Sequence, residues 1–113
     1  MEFTSAVLFN EWKLQPGEEE FTVMKIIVEG EQKGKRKTVE YSLLDYYDVN
    51  NQTTSMARAT GYTCTAAVQL IAGNLFSAAG VFPPESIGKD KACFDRIIRH
   101  LKERKVNWEK KEY

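Results

Sequence analysis

The sequence predicts an α+β fold, an antiparallel β-hairpin or small sheet followed by two to three helices packed on it. Two strand-like segments separated by a glycine-bearing, charged stretch predict the hairpin. A capped apolar stripe at helical spacing near the end of the chain predicts a packed helix. At 113 residues the chain has the length of one domain able to bury a core without staples, so residues 1–113 are read as a single domain.

The elements follow in order. Residues 5–14, "SAVLFNEWKL", carry Val7, Phe9 and Leu14 near alternate positions and read as a short strand or extended arm. "QPGEEE" at 15–20 is a turn with a solvated acid cluster. "FTVMKIIVEG" at 21–30 is β-branched and interrupted only by Lys25, as in a strand covered on both faces. "TVEYSLL" at 38–44 alternates, with Val39, Tyr41 and Leu43 on one face. A hairpin with a charged tip joins the two. After the loop "DYYDVNNQT", a helix is expected from Ser55 or Gly61 to Ala72, with Gly73 as its C′ residue. Cys64, Ala67, Val68, Ile71 and Leu75 form a stripe expected to face a core. Two prolines keep 80–88 from being regular helix throughout. In "DKACFDRIIRHLKERK" at 90–105, Asp90 is the N-cap and Phe94, Ile97, Ile98 and Leu101 are the buried stripe. The tail "NWEKKEY" reads as frayed.

Composition removes several function classes. Sixteen basic and sixteen acidic side chains cancel, so no global field recruits nucleic acid or an anionic membrane. The apolar runs are too short to span a bilayer. Cys64 and Cys93 are isolated, and a single histidine makes a zinc site improbable. Two thiols without a signal peptide fit the cytoplasm. The structured-looking start after Met1 reads as a piece of something longer.

Among chemistry candidates, the basic group Lys33, Lys35, Arg36 and Lys37 is interspersed with glutamates and lacks stacking aromatics, so it reads as a solvated tip. His100 stands apart from any acidic or cysteine cluster and is not assigned to catalysis. Asp45, Tyr46, Tyr47 and Asp48 are read as the cap of a sheet edge rather than a pocket rim. The segment 53–66, "TSMARATGYTCTAA", is ambiguous. Its hydroxyls suit a helix start, and Arg58 at such an entrance suits either an anion site or a local salt bridge. The glycines at 17, 30, 34, 61, 73, 80 and 88 exclude both G-x-G-x-x-G and a Walker loop.

The series "FTVMKIIVEG", "YSLLDYYD", "TSMARATGYTCTAAVQLIAG", "GVFPPESIG" and "LKERKV" resembles the C-terminal part of saccharopine dehydrogenase family proteins. The most specific blocks are S-M-A-R-x-T-G-Y, at Ser55–Tyr62, and G-V-x-P-P-E, at Gly80–Glu85. The resemblance implies an NAD(P)-dependent oxidoreductase whose N-terminal Rossmann domain, absent here, holds the cofactor. It also implies that this chain has no cofactor of its own, that its partner is that Rossmann domain, and that it is inactive alone. Arg58, Thr60, Gly61 and Tyr62 are then the cleft-side positioning residues, with no acid–base catalyst among them. The parent reaction would be reduction of an imine between an amino-acid semialdehyde and an amine donor, as in lysine metabolism. Homodimerisation through strand edges is expected. The alternative is a free-standing α+β interaction module with a polar surface where an enzyme fragment would be apolar.

Overall fold

The computed structural model describes residues 2–113. It is an α+β arrangement, with a three-stranded antiparallel sheet in the order β1-β2-β3 and a helical part. The strands are β1 (Phe21–Gln32), β2 (Lys35–Tyr46) and β3 (Trp108–Glu112). The helices are α1 (Glu2–Trp12), α2 (Ser55–Ala72), the short α3 (Pro84–Gly88) and α4 (Lys91–Glu103).

The hairpin is tighter than its composition suggested. Lys33 and Gly34, at φ 55° and 76°, form a two-residue turn of the primed kind. The strands therefore run on through Lys35, Arg36 and Lys37 instead of opening into a loop. Register runs from Phe21 opposite Tyr46 to Gln32 opposite Lys35. The tail is not frayed. As β3 it pairs with β2, Trp108 opposite Leu43, and Lys37 bridges Glu112 at 2.8 Å. Lys110 and Lys37 together pull the Glu112 carboxyl down to about 2.

Residues 5–14 fall mostly within α1, which corrects the strand expectation. Apolar side chains follow one another too closely there for periodicity to separate strand from helix, and no proline intervenes before Pro16. Phe3, Phe9 and Trp12 are exposed.

α2 starts at Ser55 and ends one residue later than expected in its cap chemistry. Asn74, not Gly73, takes the left-handed position, at φ 56°. Leu75 N donates to Leu70 O and Asn74 N to Ile71 O, a complete Schellman ending. After Pro83, which stays extended, Pro84 opens α3 at its first turn, where a missing N–H costs nothing. Asp90 caps α4 by accepting from Ala92 N and Cys93 N, and those two bonds lower its pKa.

The core lies where α2 and α4 meet β2. Leu43, Leu101 and Val106 are buried together, with Ala59, Tyr62, Ile97 and Trp108 packed against them. Leu70, Ala66 and Cys93 are buried at the helix contact. Two expectations about burial fail. β1 was read as covered on both faces, yet Val23 is 67% and Ile27 55% exposed on one face, and Ile26 and Val28 are open on the other. The α2 stripe of Cys64, Val68, Ile71 and Leu75 also faces outward, while Arg58, Ala66 and Leu70 face the core. No described residue covers those faces.

Candidate functional site

The segment 53–66 enters α2 through a set of contacts that explains its composition. Thr54 is extended, at φ −65° and ψ 147°, and its Oγ1 accepts from Ala57 N at 3.1 Å. Ser55 N donates to the Glu20 carboxylate, so an acid from the β1 side sits on the positive end of the helix. Glu20 had been read as part of a solvated cluster. It is half-buried, and its own carbonyl accepts from Tyr47 N at 2.9 Å. Ser55 is wholly buried, and its Oγ has no hydrogen-bond partner among the described residues.

One turn further on, Arg58 is 7% exposed and makes contacts in three directions. Its Nε and Nη2 donate to the two oxygens of Asp45, at 3.2 and 3.3 Å, a fork-on-carboxylate geometry. Nη1 donates to Asp48 Oδ2 at 2.8 Å, and Nη2 also donates to the Arg104 carbonyl at 3.2 Å. Burial opposes the charge, but the Asp45 hydrogen bonds and both carboxylates outweigh it and raise the pKa. Asp48 is itself fixed by Asn51 and by the Asn50 and Asn51 amides, which keep its carboxyl below the usual range. A single guanidinium thus ties α2 to the end of β2, to the following loop and to the C-terminus of α4.

Tyr62 stands one turn beyond, half-buried, with its ring 6.0 Å from the Arg58 guanidinium carbon and 5.7 Å from that of Arg104. The structure therefore brings Arg58 and Tyr62 together. Thr60 and Gly61 lie on the opposite, exposed side of α2. A Cβ placed on Gly61 would meet nothing within 4 Å, so no contact among the described residues requires the glycine.

A second polar set, missed in the sequence, links α4 to α2. Buried His100 has Nε2 3.1 Å from Thr65 Oγ1 and Nδ1 3.2 Å from the Gln69 side-chain amide. Nδ1 faces the amide oxygen of Gln69, which can only accept, so in the neutral ring the proton sits on Nδ1. Nε2 is then an acceptor, and the Thr65 hydroxyl has both Nε2 and the Tyr62 carbonyl, each at 3.1 Å, within reach of its single proton. Burial, and next the Arg104 charge, lower the His100 pKa.

As chemistry, the Arg58 junction is an anchor. Both features that suggested an anion site, a helix entrance and an arginine, are occupied by acids of the same chain. An open groove of about 910 Å³ lies beside the entrance, with Lys13, Glu18, Tyr47 and Thr54 on its wall. Among the described residues no group of histidine, cysteine and acidic side chains has the placement to hold a metal ion.

The model of the saccharopine dehydrogenase C-terminal domain matches residues 1–106. The chain belongs to that family. No solved structure matches it. The matched residues run from α1 to Val106 at the edge of the core, so this C-terminal domain carries β3 beyond the matched segment. The S-M-A-R-x-T-G-Y segment at Ser55–Tyr62 is, in this structure, the Arg58 anchor and the ring that packs on it. Asp45 and Glu20 complete it from outside the block. The adjacent acids in "DYYD" were the available signal for Asp45 and Asp48. Nothing in "GEEE" singled out Glu20.

Proposed function

We propose that this domain is the substrate- and dimerisation-side part of an NAD(P)-dependent oxidoreductase that reduces an imine formed from an amino-acid semialdehyde and an amine donor. The open apolar faces of α2 and β1 carry this reading. A free folded protein of 12.9 kDa exposes about 6,300 Å², whereas this chain exposes 9281 Å². The excess, about 3,000 Å², is what a domain taken from a larger assembly leaves uncovered. A free-standing module would have a polar surface in those places, and Val68 and Ile71 are instead more than half exposed.

In this reading the nicotinamide cofactor binds a Rossmann domain outside these residues. The Thr60–Gly61 side of α2 faces that domain across the substrate cleft. Gly61 permits close approach, Thr60 offers a hydroxyl, and Arg58 and Tyr62 fix the helix from behind. They position and do not transfer protons. No helix among the described residues is long and apolar enough to cross a membrane, and the free thiols Cys64 and Cys93 suit a reducing cytoplasm. The test is an assay of the chain with NADH or NADPH, an amino-acid semialdehyde and either glutamate or a diamine. No cofactor oxidation above background is expected; turnover by these residues alone would overturn the assignment.

A further inference from the structure

α4 carries two arginines that no described residue pairs. Its ion pairs are Lys91 with Asp95 and Arg104 with Glu103. Arg96 and Arg99 are exposed and stand three residues apart, hence on one face of the helix. Neither makes an ion pair or a side-chain hydrogen bond among the described residues. Both line a groove of about 460 Å³ between α4 and the end of α2, a volume suited to a small molecule.

Gln69 forms the α2 side of the same groove. His100 Nδ1 holds its amide oxygen at 3.2 Å, which turns the NH2 away from the imidazole. That NH2 has no acceptor among the described residues. The one acid in the wall, Asp95, is engaged by Lys91. A helix C-terminus repels anions through its free carbonyls. Here the carbonyls of Gln69, Leu70 and Ile71 accept from the amides of Gly73, Leu75 and Asn74. Leu75, 54% exposed, and Ala92 add an apolar part to the wall.

We infer that this groove binds a phosphate group, with Arg96 and Arg99 on its oxygens and the Gln69 amide as a third donor. A terminal phosphate presents several acceptor oxygens and more than one charge, which two always-charged planar guanidinium groups match. A single carboxylate would leave one of the arginines without a partner. The apolar wall at Leu75 offers an organic phosphate a contact that the free anion does not use. The inference goes beyond the function proposed above and does not depend on it.

Inorganic phosphate titrated into the chain, with chloride holding the ionic strength constant, should shift the side-chain NMR signals of Arg96, Arg99 and Gln69 to saturation. A Kd of about a millimolar is expected. Arg96→Gln with Arg99→Gln should raise that Kd about tenfold or more. Lys35→Gln with Arg36→Gln, the same loss of charge at the hairpin tip, should leave it unchanged. Phenyl phosphate separates the two sources of the group. Tighter binding that Leu75→Ser abolishes assigns an organic phosphate, equal affinity assigns the free anion, and either upholds the site. Shifts that grow without saturating, a Kd indifferent to the groove variant, or an equal effect of the hairpin-tip variant would each overturn it. Neither cofactor nor imine enters the titration, so its failure would leave the oxidoreductase reading standing, and the site would survive the loss of that reading.

Discussion

At the scale of single residues, Arg58 shows how a side chain with a binding-site appearance becomes structural. Its partner Asp45 is 4% exposed, so removal of the guanidinium leaves a buried carboxylate unpaired. Arg58→Ala is expected to cost about 3–5 kcal/mol or to abolish the cooperative transition, as read by urea denaturation. Arg58→Lys should recover only part, because an ammonium cannot span both Asp45 oxygens and the Arg104 carbonyl. A loss under about 1 kcal/mol would mean the junction is not an anchor. His100 gives a pH signature. Its folded pKa is lowered from 6.5, mainly by burial and then by Arg104, with Arg96 adding to this and Glu103 opposing it. The unfolded chain therefore takes up the proton first. Stability is undiminished above pH 6.5 and falls as the pH drops from there toward the folded pKa. Thermal melts between pH 8 and 5 should show that decline, and His100→Gln should flatten it.

Elements explain which parts of the fold were legible in sequence. The hairpin and α4 were, because strand alternation, turn glycine, N-cap and apolar stripe all agree there. α1 was not, since an apolar run with no clear period fits either secondary structure. β3 was not, because "WEKKE" gains its place only by pairing with β2. For α2 the boundaries were legible and the burial was not. The helix has two apolar faces, and a period identifies a face without saying which neighbour covers it. Gly61 sits on the uncovered face. Gly61→Ala should therefore stabilise the isolated chain by about 0.5–1 kcal/mol through helix propensity alone, measured by urea denaturation. Destabilisation would show a contact on that side that the present arrangement lacks. The Arg58 anchor was half legible. Its sequence marked an arginine at a helix entrance, but the choice between foreign anion and internal acid depended on Asp45 and Glu20, brought there by the hairpin.

For the molecule as a whole, a small core is set in a large surface. The radius of gyration is 17.5 Å, against about 13 Å for a compact domain of this length. A sheet open along β1 and a helix apolar on its outer side are the consequences of that shape. In the function proposed above, they are also the places where the enzyme's remaining parts dock. In that function, this domain shapes and anchors a cleft, and the nicotinamide site belongs to a domain beyond these residues. Titration calorimetry of the chain with NADH and with NADPH tests this most directly. No saturable binding of either cofactor is expected. Tight, stoichiometric binding of one of them by these 113 residues would contradict it.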